Sequence, residues 1–208
     1  MALHLQARDD CVIGKVEMAR TINLDACLPK PVSAVEKAAV VESLPAHGAV
    51  THVGAGEGRK LDAISRLLGT NGRDSVYDVR VITVPQAWTG LYKRAVLLIS
   101  LPALRLLSSE ELQALVAHEI GHEYVWQEYA DAKSRRDTKR LRELELVCDA
   151  IAVRILAREG ILPDRLETAI EKVSWYNRER LGVALNEGNY PSLKDRLKLV
   201  QKMSLHER

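Results

Sequence analysis

No apolar run in this 208-residue chain approaches the roughly 20 residues needed to cross a bilayer, so the chain reads as soluble, without a transmembrane segment. Its first residues, "MALHLQARDD", lack the basic stretch followed by about 7 to 15 apolar residues that marks a secretion signal. A mature form with its signal removed would look the same, which leaves the compartment open between cytoplasmic and periplasmic or secreted. An excess of one charge is lacking too. Lys and Arg number 30 against 28 Asp and Glu, a net charge of +2, and so small a balance creates no field favouring nucleic acid or an anionic membrane. Cysteine is scarce, with 3 residues. Cys11 and Cys27 allow either a short disulfide loop in an oxidising compartment or two free thiols, while Cys148 lies far off in an apolar stretch. Internal repeats and low-complexity segments are absent. What the chain does have is 47% hydrophobic residues, enough to core one ordinary domain in a length that does not require two.

Residues 1 to 31 show little periodicity and end in Pro29-Lys30-Pro31, which reads as an irregular N-terminal arm ahead of a single domain spanning residues 32 to 208. Ser33 and Glu36 form a capping-box pattern before "KAAVVESL", predicting a short helix stopped by Pro45. A second helix is expected through "RKLDAISRLL". Residues 75 to 84 and 95 to 100 alternate β-branched and apolar residues as strands do, and "PQAWTGLYKR" between them reads as a turn or irregular edge. Ser108 and Glu111 then cap a helix with Leu112, Leu115, Val116 and Ile120 on its apolar side. "LRELELVCDAIAVRILAREG" is so apolar from residue 144 to 157 that it predicts a helix buried nearly all round, ending at Gly160. Residues 164 to 181 and 192 to 203 also read as helices.

The capped helix carries "VAHEIGHEY", residues 116 to 124. Residues four apart on a helix lie on one face with Cβ atoms about 5 to 6 Å apart, so His118 and His122 can place imidazole nitrogens on one zinc ion. Glu119, one residue round the helix, can reach a water at that metal without ligating it. The apolar helix carries a second signal: Glu145 and Asp149 are carboxylates four apart among buried neighbours. Burying a carboxylate costs several kcal/mol, on the order of magnitude of a domain's net stability, unless a cation or a partner compensates. Zinc ligated by Glu145, with Asp149 accepting a hydrogen bond from the far nitrogen of one ligand histidine, would satisfy both groups and set the imidazole tautomer. The competing reading pairs the two carboxylates with arginines such as Arg142 or Arg154. Other third ligands fit less well: a metzincin extension needs Gly at 125 and His at 128, where Val125 and Glu128 stand. His4, His47, His52 and His206 fall outside the organised helices, and Glu143 has no acidic residue four positions on.

Together "LLSSEELQALVAHEIGHEY" and "ELELVCDAIAVRILAREG" resemble the gluzincin metallopeptidases of the CaaX prenyl protease and HtpX type, in particular their membrane-free members, over about residues 59 to 200. The paired HExxH and ExxxD elements carry the resemblance. It implies a zincin-like fold and zinc on His118, His122 and Glu145, one ion per chain. Glu119 is then the general base and Asp149 stands behind the ligands. It implies further that an edge strand before the motif, here Gln86, Ala87, Trp88 and Thr89, binds the substrate backbone. Where the family carries His-Pro and a following Arg, this chain has Tyr190-Pro191 and Arg196, so Tyr190 would donate to the oxyanion in the histidine's place.

The readings converge on an α+β fold, mostly helical, with a small sheet packed on the HExxH helix. The expected function is a zinc-dependent endopeptidase acting on proteins or peptides; the alternative is a zinc-stabilised peptide-binding or chaperone-like module of the same fold that hydrolyses poorly. Membrane-associated processing of prenyl peptides is disfavoured by the missing transmembrane helix. "AVTHVGAGEGRKLDAISRLL" imitates a dinucleotide site, but GxGxxG would need Gly at 59, where Arg stands. The charged stretch 131 to 143 reads as a solvated helix face. Tyr124, Trp126 and Tyr129 are expected to continue the motif helix, where they either line the cleft or, as the default, pack on the apolar helix.

Overall fold

Five helix starts among the described residues coincide with serine or aspartate side chains that close open backbone donors. The computed structural model describes residues 11, 13, 15–45, 48–50, 52–182 and 190–205. In these the order is α1 (Val16–Thr21), α2 (Ala34–Glu42), α3 (Ala55–Thr70), β1 (Asp78–Ile82), β2 (Thr89–Tyr92), β3 (Val96–Ser100), α4 (Leu101–Leu106), α5 (Ser109–Tyr124), α6 (Trp126–Ser134), α7 (Thr138–Arg158), α8 (Asp164–Leu181) and α9 (Leu193–Ser204). Ser33, Ser100, Ser108, Asp137 and Ser192 accept from backbone N–H groups at the starts of α2, α4, α5, α7 and α9. Both expected capping boxes, Ser33 with Glu36 and Ser108 with Glu111, are complete. The result is mostly helical with one small sheet, the α+β arrangement expected. Among the described residues no helix is long and apolar enough to cross a membrane.

The sheet order is β1-β3-β2, with β1 parallel and β2 antiparallel to β3. β2 occupies the stretch that reads as a turn or irregular edge. It is only four residues long, and the turn that joins it to β3 carries no glycine or asparagine: Lys93 and Arg94 both adopt positive φ, 46° and 56°, and Ala95 N–H donates to Tyr92 O. That is a type I′ geometry built from residues that rarely signal one. Its consequence is functional, because β2 lies at the sheet edge and packs against α5.

α7 runs through the core, with Leu144, Val147, Ala150, Ile151, Val153 and Ile155 buried, as its composition predicts. α5 crosses it where Gly121 meets Cys148. A Cβ on Gly121 would lie 2.9 Å from both Cys148 Cα and its carbonyl oxygen, backbone atoms that cannot step aside. Gly121→Ala is therefore expected to force the two helices apart and cost about 1–3 kcal/mol. For a chain of this size each kcal/mol lowers Tm by about 2–4 °C, so thermal unfolding reads the effect directly.

Residues 1 to 31 differ from the expected arm. Residues 1–10, 12 and 14 lie outside the described residues, but Ile13, Ala19 and Leu24 are buried in the core, α1 packs on α7, and Cys11 is disulfide-bonded to Cys27. Arg154 of α7 donates to the carbonyls of Ala19 and Ile22, and Arg73 to that of Pro29. A helix of six residues is too short to show periodicity, and its attachment comes from side chains far along the chain.

The aromatic trio also departs from a continuous helix. α5 stops at Tyr124, Val125 leaves helical geometry at ψ 12°, and Trp126 opens α6. The charged stretch 131 to 143 is likewise divided, between the end of α6, a turn with Arg136 at positive φ, and the start of α7.

Candidate metal centre

α5 and α7 place four ionisable side chains in one buried cluster. His118 and His122, one turn apart on α5, stand with ring centroids 5.0 Å apart. Glu145 of α7 faces both: its Oε2 is 3.3 Å from His118 Nε2, and its Oε1 is 3.7 Å from His122 Nε2. Asp149, one turn further along α7, meets the far side of the first ring, with Oδ1 2.8 Å from His118 Nδ1. A proton on Nδ1 meets that contact, and Nε2 is the nitrogen turned towards Glu145. His122 is oriented in the same sense, because Cys148 Sγ lies 3.5 Å from its Nδ1.

Among the described residues, His118, His122 and Glu145 form a group that could hold a metal ion, with one ligand atom from each lying within 4.8 Å of the others. The donor set fits. Bonds of about 2.0–2.1 Å in a tetrahedral zinc site put neighbouring ligand atoms about 3.3 Å apart, the separation of His118 Nε2 from Glu145 Oε2. Glu145 is 1% exposed, and its Oε2 makes no hydrogen bond. A buried carboxylate oxygen without a donor is a costly arrangement that a cation relieves.

Electrostatics divide the cluster. Burial pulls His118 towards neutrality, yet the carboxylates of Asp149 and then Glu145 beside it outweigh that, and its pKa is pushed up to about 10. Burial dominates at His122 and lowers its pKa. Burial opposes ionisation of Asp149, but Arg196 and then His118 hold its carboxyl well below the usual carboxylate range. Glu145 is lowered as well, against burial, by the two histidines.

Of the arginines weighed as carboxylate partners, Arg154 is directed to the N-terminal carbonyls and Arg142 is solvent-exposed. Asp149 is paired instead with Arg196 of α9, whose Nε donates to Oδ2 at 2.8 Å and whose terminal nitrogen donates to Oδ1 at 2.6 Å. Arg196 thus ties α9 to the back of the cluster. Tyr190, 45% exposed, lies on the cleft wall just before α9.

Glu119 does not face Glu145. Thr89 Oγ1 donates to its Oε1 at 2.9 Å and Leu91 N–H to its Oε2 at 3.0 Å, so β2 holds the carboxylate at the cleft floor. The cleft measures about 420 Å³ and is walled by Trp88, Thr89, Trp126, Tyr129, Val173 and Tyr190, among others. Ala87 is set back from the cleft. It is fully buried, and its N–H and C=O are both engaged by the side chain of buried Asn177, at 2.8 and 2.9 Å. Trp88 N–H is likewise taken by Ser100 Oγ at 2.9 Å, which leaves its indole, not its backbone, for the cleft. The edge open to a ligand is displaced towards Thr89–Tyr92. His52 is exposed, and His4, His47 and His206 lie outside the described residues.

Tyr129, expected either to line the cleft or to pack on the apolar helix, does both: it borders the cleft, its hydroxyl donates to Glu145 Oε1 at 3.0 Å and its ring meets that of His122 edge-on. With the helix broken at Val125, its spacing of seven residues from His122 gave no signal of these contacts. Asn177 carried none: a polar residue in an otherwise amphipathic helix reads as exposed. Compared with protein-family models and with curated proteins, the chain matches none.

Proposed function

We propose that the chain is a zinc-dependent endopeptidase of zincin-like fold, akin to the membrane-free gluzincins its motifs resemble. One observation carries this reading: buried Glu145 lines the same cleft as Glu119 and stands between two histidines, its Oε2, which makes no hydrogen bond, 3.3 Å from His118 Nε2 and its Oε1 3.7 Å from His122 Nε2.

His118, His122 and Glu145 would hold the metal. Bound there, zinc supplies Lewis acidity, drawing the pKa of a water down to about 7 and polarising a scissile carbonyl. The remaining chemistry belongs to the chain. A peptide lies along the free edge of β2 as an added strand, with its side chains against the apolar cleft wall. Glu119, held by Thr89 and Leu91, takes the proton of the attacking water and delivers it to the leaving amine. Tyr190 donates to the oxyanion from the cleft mouth. Asp149 keeps His118 in the tautomer that offers Nε2, and Arg196 keeps Asp149 ionised.

The test is metal content by mass spectrometry on protein purified without chelators or a histidine tag, beside a His118→Ala, His122→Ala double variant. Zinc at one ion per chain in the wild type and none in the variant is the expected result. No metal in the wild type after incubation with zinc would withdraw the peptidase reading.

A further inference from the structure

The two oxygens of Glu145 are not equivalent. Oε1 accepts from Tyr129 at 3.0 Å, while Oε2, 3.3 Å from His118 Nε2, makes no hydrogen bond and is shielded from solvent. Tyr129 reaches Glu145 from a separate helix, because the break at Val125 lets α6 depart from the line of α5 and return its first turn over the cluster. Its ring also stands edge-on to His122, at 89° with centroids 5.1 Å apart, so one residue touches two members of the metal group.

We infer that Tyr129 is a positioning residue that restricts Glu145 to binding the metal through one oxygen, Oε2; the inference rests on the zinc reading above. A carboxylate is free to ligate through one or both oxygens. Engaging Oε1 with a phenol hydroxyl draws off part of its electron density and leaves Oε2, 3.3 Å from His118 Nε2, as the oxygen without a donor, although Oε1 also lies 3.7 Å from His122 Nε2. Single-oxygen ligation keeps the site at three protein ligands and leaves the remaining position of a tetrahedron for water or substrate, which catalytic zinc requires and structural zinc does not. The edge contact with His122 sets the second ring at the same time. Tyr129 therefore belongs to the site as a residue that shapes metal geometry, without touching the reacting atoms.

Tyr129→Phe isolates the hydroxyl, since it retains the ring that packs on His122. The zinc dissociation constant, measured by competition with a chromophoric chelator, is expected to rise about 10–100-fold, the usual cost of removing a group that orients a metal ligand. In the cobalt-substituted protein the visible absorption should weaken, because ligation by both Glu145 oxygens raises the coordination number above four. Thermal unfolding of the metal-free variant serves as the folding control, and a merely structural role would shift that curve while leaving the cobalt spectrum unchanged. Wild-type zinc affinity together with a wild-type cobalt spectrum in Tyr129→Phe, in a protein whose zinc depends on His118 and His122, overturns this inference alone. Absence of zinc from the wild type overturns it together with the reading it rests on.

Discussion

Glu119→Gln is expected to lower the cleavage of unfolded casein by about 10²–10⁴-fold while zinc content stays at the wild-type level. The substitution keeps the size of the side chain and one of its acceptor oxygens, so Thr89 Oγ1 or Leu91 N–H can still hold it. What it removes is the ability to accept and return a proton. Glu119 contributes no ligand atom to the cluster of His118, His122 and Glu145, so metal occupancy should be insensitive to it. Full activity in a zinc-loaded Glu119→Gln protein would end its assignment as general base. A wild type that holds zinc but cleaves nothing, with or without a chelator, would favour the alternative of a zinc-stabilised peptide-binding module.

The second large effect is on stability. Asp149 is fully buried and receives two hydrogen bonds from Arg196 and one from His118. Arg196→Ala leaves that carboxylate without its cation, and breaking one side of a buried pair costs about 3–5 kcal/mol. In a chain of this size the loss corresponds to a fall in Tm on the order of 10 °C. The same substitution unties α9 from α7, whose packing it helps to hold. Arg196→Lys should recover only part of the loss, since an ammonium cannot span both carboxylate oxygens as the guanidinium does. A metal-free Arg196→Ala protein melting with the wild type would show that Asp149 is compensated in another way.

How far the site was legible depends on the range of the interactions that build it. His118, Glu119 and His122 were readable because helical spacing alone puts them together, and Glu145 and Asp149 because two carboxylates in so apolar a helix demand a partner. The partner of Asp149 was not readable by the same logic. Arg196 lies 47 residues away on α9, and sequence reasoning that weighs burial looks first to nearby arginines. Arg142 and Arg154 were the near candidates; one faces solvent, and the other clamps the N-terminal segment. Only the resemblance pointed to Arg196.

The edge strand shows a different limit. Trp88 and Thr89 reach the cleft, but Ala87 does not, because Asn177 supplies from α8 the donor and acceptor that a neighbouring strand would otherwise provide. A side-chain amide standing in for backbone leaves no pattern in the strand it supports. β2 itself was hidden by its brevity and by a turn of Lys93 and Arg94, both at positive φ, of which Arg94 is held by Glu123 of α5.

By itself, then, the sequence determined helices α2, α3, α5, α7, α8 and α9, the capping boxes of α2 and α5, the buried character of α7 and the grouping of His118, His122 and Glu145 as residues that could hold a metal. These depend on neighbours within a few positions, where periodicity and the cost of burying charge act directly. Tertiary structure alone decided that Ile13, Ala19 and Leu24 are fastened to the core, that β2 holds Glu119, that Tyr129 reaches Glu145 from α6, and that Arg196 of α9 pairs with Asp149. Each of those contacts joins elements whose approach is set by the packing of the whole core, and no local spacing encodes it.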